Sequence, residues 1–403
     1  ILSDYSIIPS KYKRNMISRI KMIAGMNIME TRLPQDGAIK SKIGDRFLDL
    51  RVSSLPTNNA EKIVIRILDY SMSLAGLDNL GFSEDAMEKI NRLIKIPNGI
   101  ILVTGATGTG KSTTLYSILQ KLNTEEVNII TVEDPVEMDI EGINQVQTQS
   151  EIGLTFATIL RSILRQDPNI IMIGEIRDDE TARIAVRASI TGHLVLSSLH
   201  TNNSLNTIER LTDMDVERYL LGSSLEGIIS QRLARKVCPE CSIKRPTTDY
   251  ERQVFKTVLG KDVSEMVVAN KEGCPKCTHG YKGRLAILEV LVMNEQIKDA
   301  ITNGANKNTL RELVYTGDVV TLLQDGLNKV VLGETTFEEI LKIVDLENDM
   351  TQYNDDNLKT NLKMAQQAHK VDNKTNDKPI TSNITSEFKI EKTNNENIET
   401  VEF

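Results

Sequence analysis

The chain has 403 residues, of which 40% are hydrophobic, and it carries a net charge of −8. This length allows two to four domains with a sizeable core, and the acidic balance argues against a surface devoted to nucleic acid, leaving room only for a local basic patch. No run approaches the about 20 apolar residues that span a bilayer, and the basic start lacks the apolar core of a signal peptide. We therefore expect a cytosolic protein and, because it begins at Ile1 rather than Met, part of a longer chain.

Residues 1–77 are predicted to form a small α+β domain with a linker. Residues 16–29 have apolar side chains at helical spacing, and residues 47–52 and 62–68 alternate as strands do. The turn-rich run 56–59 separates the two strands. The segment 69–81 is expected to be the linker.

From about residue 86, short apolar runs alternate with helical stretches. This alternation predicts a parallel sheet covered by helices on both faces, over residues 78–236. The predicted strands are 100–103, 128–132, 170–173 and 194–199, and the predicted helices are 111–122, 156–165, 180–189 and 216–235.

Three further units are predicted after this core. Residues 237–285 form a cysteine-containing unit, and residues 286–348 form a unit of short helices over 297–344. Residues 349–403 are rich in Asn, Thr, Lys, Asp and Glu and poor in aromatic residues, which is typical of a disordered polar tail.

The segment 105–112, GATGTGKS, matches the phosphate-loop pattern GxxxxGK[ST]. It lies between a predicted strand and a predicted helix, which is the context that makes the pattern meaningful. Its glycines let backbone amides wrap around phosphates while the helix N-terminus faces the anion. Lys111 is predicted to reach the β- and γ-phosphates, and Ser112 to ligate Mg²⁺.

Two predicted strands end in acidic residues. Glu133 and Asp134 follow one strand, and Glu175 follows another after Gly174. Because the carboxyl ends of parallel strands meet at one edge of a sheet, both groups are expected beside the phosphate loop. In ATPases with a phosphate loop, the strand before Glu175 usually ends in an Asp, but Gly174 occupies that position here. The sequence therefore leaves open which acid assists Mg²⁺ and which acid orients water.

Two histidines, His193 and His200, flank the apolar run 194–199. Either one alone is more simply a structural histidine. At the end of the fourth strand, however, His200 is placed to sense the γ-phosphate or a neighbouring subunit. His193 is kept as a candidate nucleotide-binding residue.

The four cysteines form two CxxC pairs, Cys238 with Cys241 and Cys274 with Cys277, with 32 residues between the pairs. In a cytosolic chain, four thiolates with this spacing favour tetrahedral Zn²⁺ over disulfides. Such a site leaves no ligand position for water, so the zinc is predicted to be structural. His279 is a minor alternative ligand.

Together these motifs resemble the secretion ATPase family of type II secretion and type IV pilus assembly. The resemblance covers about residues 9–346. Its segments are 105–113 (phosphate loop), 131–137 (Asp box), 160–168 with 171–178 (Walker B region), 191–202 (His box), and 33–37 with 50–57 (small N-terminal domain).

The resemblance implies a RecA-like P-loop ATPase core, preceded by a PAS-like α+β domain, in a hexameric ring that uses ATP, Mg²⁺ and Zn²⁺. Arg51 and Arg66 match arginines that reach the γ-phosphate, and Arg161 and Arg165 match arginines at the nucleotide interface. The implied catalytic residues are Glu175, Glu133, Lys111, Arg51, Arg66, Arg161, Arg165 and His200. The implied nucleotide-binding residues are Gly105, Ala106, Thr107, Gly108, Thr109, Gly110, Lys111, Ser112, Thr113 and His193.

Paired cysteines followed by an element like residues 280–284 are typical of assembly and secretion motors rather than retraction motors. The Asn/Lys/Ile-rich composition is similar to that of low-GC bacteria, in which pili predominate, and favours a pilus assembly motor with type II secretion as the alternative. The resemblance implies a homohexamer at the inner face of the cytoplasmic membrane. Its expected partners are an inner-membrane platform protein and other cytoplasmic pilus assembly proteins.

Two other classes of function stay as alternatives. A nucleic-acid motor would share the ATPase core, but the chain lacks a basic stripe interleaved with aromatic residues. A non-catalytic, zinc-stapled scaffold that binds ATP would not need the full set of acids and arginines.

Overall fold

A computed structural model describes residues 5–43, 46–69 and 76–344. The predicted tail over 349–403 lies outside the described residues. The strands are β1 Gln35–Ile43, β2 Arg46–Thr57, β3 Ala60–Asp69, β4 Gly99–Thr104, β5 Ile129–Glu133, β6 Asn144–Gln147, β7 Ile170–Ile173, β8 Leu194–Leu199, β9 Leu225–Val237, β10 Ile243–Pro246, β11 Glu265–Val268 and β12 Tyr281–Val292. The helices are α1 Lys13–Ile23, α2 Glu84–Leu93, α3 Lys111–Leu122, α4 Phe156–Ile163, α5 Asp179–Ile190, α6 Ser204–Asp213, α7 Arg218–Ser224, α8 Asp249–Leu259, α9 Glu295–Thr302, α10 Lys307–Tyr315, α11 Leu322–Val331 and α12 Phe337–Ile343.

The N-terminal unit is a three-stranded antiparallel sheet, in the order β1-β2-β3, with α1 packed beside it. Helix α1 ends earlier than predicted because Gly25 adopts a positive φ of 72° and the amide of Met26 bonds back to the carbonyl of Lys21 at 2.8 Å. This is the usual glycine-dependent helix stop. The unit is α+β as predicted, and its likeness to a PAS domain stays a prediction.

The central sheet has seven strands in the order β12-β9-β4-β8-β7-β5-β6. All neighbouring strands pair in parallel except β12 with β9. Alternate strand residues enter two separate cores: Leu102 and Ile171 pack in one, and Ile101 and Met172 in the other. The predicted parallel sheet with both faces covered is confirmed, apart from one antiparallel edge strand.

The predicted helix over 216–235 is wrong beyond Ser224. Helix α7 ends there, and the chain continues as β9, between β4 and β12. The helix was predicted because this apolar run is as long as a typical helix. In the structure, almost every residue of the run up to Gln231 is buried between neighbouring strands. Gly227 fits there because a Cβ would lie 2.5 Å from the Leu93 side chain.

The C-terminal part forms a third core beside β9 and β12. Helices α8, α11 and α12 contribute to it, with Phe255 and Phe337 in aromatic contact at 5.7 Å. The segment between the cysteine pairs therefore shares a core with the C-terminal helices, which the polar composition of that segment did not indicate. The short helices predicted over 297–344 are present as α9 to α12.

The outer edge of β12 is covered by two charged residues of α11. Asp325 Oδ2 accepts a bond from the Leu288 amide at 2.9 Å, and Lys329 donates to the carbonyl of Ala286. The two side chains also pair with each other at 2.9 Å, with only 4% of either exposed. Among the helices of the described ranges, none combines the length and the apolar character that crossing a membrane requires.

Candidate nucleotide site

The phosphate loop connects the end of β4 to the start of α3, at the carboxyl edge of the sheet. Gly105 has a φ of 153°, and a Cβ there would lie 2.5 Å from Thr109 Oγ1. The loop can therefore close tightly only with glycine at this position. The candidate residues Gly105, Ala106, Thr107, Gly108, Thr109, Gly110, Lys111, Ser112 and Thr113 all lie in this loop and the first turn of α3.

Lys111 points into the loop rather than to solvent. Its Nζ donates to the carbonyl oxygens of Gly105 at 3.0 Å and Ala106 at 3.2 Å. Burial lowers the pKa of Lys111, and the negative charge of Glu175 opposes that shift. Ser112 is exposed at the first turn of the helix, where its hydroxyl is available to a cation.

Glu175 and His200 meet at the same edge. Glu175 follows β7 and His200 follows β8, and His200 Nε2 lies 3.0 Å from Glu175 Oε2. Arg177 Nε donates to the other carboxylate oxygen at 2.6 Å. These two contacts orient a carboxylate whose charge reaches Lys111.

Glu133 has a different environment. It is 4% exposed, and it accepts bonds from Thr131 Oγ1 at 2.6 Å, from Gln145 Nε2 at 3.0 Å and from the Tyr116 hydroxyl. Side chains of the protein thus satisfy the hydrogen bonds of the Glu133 carboxylate. These bonds hold the segment at the end of β5 in place.

Glu137, the other glutamate of this segment, was not among the predicted catalytic residues and is half-buried. Its amide donates to the Tyr116 hydroxyl at 3.1 Å. Burial raises the pKa of Glu137, and the positive charges of Arg51 and Arg66 act in the opposite direction. Its own charge acts on Lys111. It is the last residue of the segment 131–137, so the motif contained it without distinguishing it from Glu133.

The two arginines of the small unit are linked to this acid through their charge. Arg51 and Arg66 lie opposite each other on β2 and β3, and both favour the ionised form of Glu137 and so oppose the rise in its pKa. A direct contact at this edge is that between Glu175 and His200.

Three predicted residues lie elsewhere in the same chain. Arg161 on α4 pairs with Glu180, and Arg165 Nη1 donates to the Arg161 carbonyl at 2.7 Å. His193 precedes β8, at the opposite end of that strand from His200, about 23 Å away for seven residues of strand. Its Nδ1 lies 2.9 Å from the Ala188 carbonyl, so within one chain it is a structural histidine and does not touch the loop.

The four cysteines cluster where β9 ends and β12 begins. Cys238 Sγ lies 3.8 Å from Cys274 Sγ, and Cys241 Sγ lies 3.6 Å from Cys277 Sγ. All four sulfurs lie within 4.8 Å of one another. A tetrahedral site with Zn–S bonds of about 2.3 Å places its sulfurs about 3.8 Å apart, so the donor set fits Zn²⁺.

The thiols of the cluster shift one another's pKa in opposite directions. Burial raises the pKa of Cys277, but the Cys274 amide at 3.1 Å and the neighbouring thiols outweigh that effect and lower the pKa to about 7. Burial and the neighbouring thiols raise the pKa of Cys241. A thiol that ionises near neutral pH is suited to bind a metal as a thiolate.

Residues 6–342 match the family described as "Type II/IV secretion system protein". The chain is 47% identical over 329 residues to the putative type II secretion system protein E of Escherichia coli K12, and 45% identical over 329 residues to the type II secretion system ATPase E of Vibrio cholerae. These alignments cover 81% of the chain but only 66% and 65% of the relatives. The chain thus spans slightly less than two thirds of their length.

Two solved structures are similar over most of the chain. The ATPase DotB of Legionella pneumophila has a TM-score of 0.58 at 21% identity, over 84% of both chains. The pilus retraction motor PilT with bound ADP has a TM-score of 0.51 at 26% identity, over 88% of this chain and 83% of that one. The DotB likeness concerns the fold alone.

Proposed function

The chain belongs to the Type II/IV secretion system protein family, and from this premise we propose that it is the ATP-hydrolysing motor of a type II secretion machine. The observation that carries the proposal is at the carboxyl edge of the sheet, where Lys111 Nζ lies inside the phosphate loop and the Glu175–His200 pair, 3.0 Å apart, follows the neighbouring strands β7 and β8. The names of the relatives favour type II secretion. The pilus assembly interpretation, which composition favoured, is not confirmed by them and becomes the alternative.

In this function each group has a stated task. The phosphate loop holds the nucleotide, and Lys111 neutralises phosphate charge. When bound, ATP and Mg²⁺ supply the phosphoanhydride and its charge-balancing cation, with Ser112 as the protein ligand. Glu175, held by His200, orients the attacking water and takes its proton.

The small unit supplies the remaining positive charge. Arg51 and Arg66 approach from a separate sheet, so hydrolysis depends on how closely that unit sits over the loop. Arginines in this role stabilise charge that develops in the transition state. Movement of the unit relative to the core is the proposed mechanical output.

We further propose a homohexamer in which two exposed arginines, Arg161 on α4 and Arg165 just after it, contact the neighbouring subunit. The ring binds an inner-membrane platform protein at the inner face of the cytoplasmic membrane. Cys238, Cys241, Cys274 and Cys277 hold a structural Zn²⁺.

The activity is tested with three variants of the full chain. Lys111→Ala is expected to lose ATP binding and hydrolysis, whereas Glu175→Gln is expected to keep ATP binding and lose turnover by about a hundredfold or more. Glu151→Gln, which changes an exposed acid on a short 3-10 turn, is the matched control and should behave as wild type. Wild-type turnover in both site variants would contradict the proposal.

The machine is tested by deleting the gene in its host. A type II secretion motor predicts that exported proteins accumulate inside the cell while pili persist. Loss of pili with normal export would instead establish the pilus alternative.

A further inference from the structure

Strand β9 carries two consecutive polar residues, Gln231 and Arg232, beside the phosphate-loop strand β4. Their neighbour Ser230 lies directly opposite Thr104, the last residue of β4. Because successive strand side chains point to opposite faces of a sheet, Gln231 and Arg232 reach different structures. Neither was among the predicted site residues.

Gln231 binds the phosphate loop from beneath. It is 3% exposed, its Nε2 donates to the Thr109 carbonyl at 2.8 Å, and its Oε1 accepts from Thr114 Oγ1 at 2.8 Å. A Cβ at Gly110 would lie 2.7 Å from this Nε2, so the loop glycine makes room for the amide. The carboxamide donates to the carbonyl through its nitrogen and accepts from the hydroxyl through its oxygen, so both ends of the side chain are used.

Arg232 holds the segment that follows His200. Its Nη2 donates to both the carbonyl and Oδ1 of Asn202, at 3.0 and 3.1 Å. Two residues later, the amide of Ser204 donates to the buried Glu289 of β12 at 3.0 Å. The chain between His200 and α6 is thus attached to β9 and β12.

We propose that Gln231 and Arg232 are a positioning pair, in which Gln231 fixes the phosphate loop and Arg232 fixes the His200 segment. One strand then sets the distance between Lys111 and the Glu175–His200 pair. The inference rests on the proposed ATPase function and deepens it. Burial lowers the pKa of Lys111, and the positive charge of Arg232 also lowers it, as expected for a guanidinium on the strand beside β4.

The two residues are expected to affect different kinetic constants. Gln231→Glu keeps the shape of the side chain but loses the donor to the Thr109 carbonyl, so we expect ADP affinity to fall about tenfold. Arg232→Gln leaves the loop intact, so we expect kcat to fall about tenfold while ADP affinity changes by less than about threefold. Lys236→Gln, an exposed change on the same strand, is the matched control.

Double variants separate positioning from general packing. If Arg232 acts through Asn202, Asn202→Ala should mimic Arg232→Gln, and the double variant should be no slower than the single ones. Gln231→Met with Thr114→Val should behave in the same way for ADP affinity. Multiplicative losses, or lowered thermal stability with unchanged ADP affinity, KM and kcat, would overturn the inference.

The measurements also separate this inference from the proposed function. A wild-type protein that binds ADP but never hydrolyses ATP would contradict the proposed motor function. The ADP affinity of Gln231→Glu would still test the role of Gln231. Normal wild-type turnover, with ADP affinity unchanged in Gln231→Glu and kcat unchanged in Arg232→Gln, would overturn the positioning pair alone.

Discussion

Lys21 is completely buried in the small N-terminal unit, which is rare for a lysine. Its Nζ lies 2.6 Å from Glu61 Oε1 and 2.6 Å from the Glu30 carbonyl, and Ser54 Oγ donates to the same carboxylate at 2.8 Å. Burial raises the pKa of Glu61, but the bonds from Lys21 and Ser54 outweigh it and lower the pKa below its ordinary 4.5. The pair joins α1 to β3.

Removing this lysine should open the small unit. Lys21→Met leaves a buried carboxylate with one hydroxyl partner, so we expect the free energy of opening to fall by about 3–5 kcal/mol. Hydrogen exchange of β3 amides measures this unit by itself. Lys62→Met, an exposed change on the same hairpin, is the control. Equal exchange in wild type and Lys21→Met would contradict the prediction.

The pH dependence has a definite sign. Because the pKa of Glu61 is lowered on folding, its contribution is present above 4.5 and is lost as the pH falls through the folded-state value. Protection of β3 amides in the wild type should therefore decrease below pH 4.5. Unchanged protection there would show that the pair contributes nothing.

At the scale of single residues, the sequence predicts which segments form the site better than it predicts the contacts of each side chain in them. It identified the segment 131–137, but not that Tyr116 and Gln145 bind Glu133, nor that the arginines of the small unit act on the charge of Glu137. Tyr116 and Gln145 lie on other elements of the fold. The segment 131–137 alone therefore does not show that the carboxylate of Glu133, rather than that of Glu137, is hydrogen-bonded by them. The separation of His193 from the site likewise depends on the direction of β8.

Among the strands, β12 is the element with the most unusual edge. Two of its outer backbone groups, the Leu288 amide and the Ala286 carbonyl, bond to Asp325 and Lys329 rather than to another strand. Unpaired edges invite aggregation, and burying a charged pair over one is a way to close it.

Breaking this pair should destabilise the core next to β12. Lys329→Met leaves Asp325 buried without its counter-charge, and we expect a loss of about 3–5 kcal/mol in the free energy of unfolding, with more aggregation. Lys121→Met breaks an exposed pair with Asp78 and should cost less than about 1 kcal/mol. Urea denaturation and light scattering compare the two, and equal effects would refute this view of the edge.

The strands that the sequence predicted in the central sheet are short apolar runs buried on both faces, such as β7 and β8. In the small unit, β2 and β3 were predicted from alternation instead. Of the twelve strands in the described ranges, six were not predicted, namely β1, β6, β9, β10, β11 and β12. Three of them show different reasons. β1 has few apolar residues and contains Gly37, and β9 is long enough to imitate a helix. β12 follows the second cysteine pair, and its assignment depends on pairing with β9, a contact between distant parts of the chain.

On the scale of the whole molecule, the cysteine cluster fastens β9 to β12. We expect about one Zn²⁺ per chain, released by a strong chelator with a drop in thermal stability. The variant Cys238→Ser with Cys241→Ser should lose the metal, whereas His279→Ala should retain it because the four sulfurs complete the site. A native protein without zinc, or zinc lost in His279→Ala, would refute this assignment.

The resemblance of the sequence to secretion ATPases was sufficient to predict the family, which the relatives confirm. It did not decide between pilus assembly and type II secretion. The phosphate loop, the acids and the cysteines form nucleotide and metal sites, and these sites do not determine which proteins the chain acts on. The distinction depends on surfaces that bind other proteins, and those leave no short motif.

The closed edge of β12 has a consequence for how copies of the chain can join. A second copy cannot extend the sheet there without displacing Asp325 and Lys329. A copy of the chain that approaches the outer edge of β12 would therefore bind through side chains. Such contacts can break and re-form one at a time. In the ring that we propose, the subunits change shape with every turnover. Side-chain contacts permit such movement, whereas a main-chain ladder shared between subunits would hold them rigid.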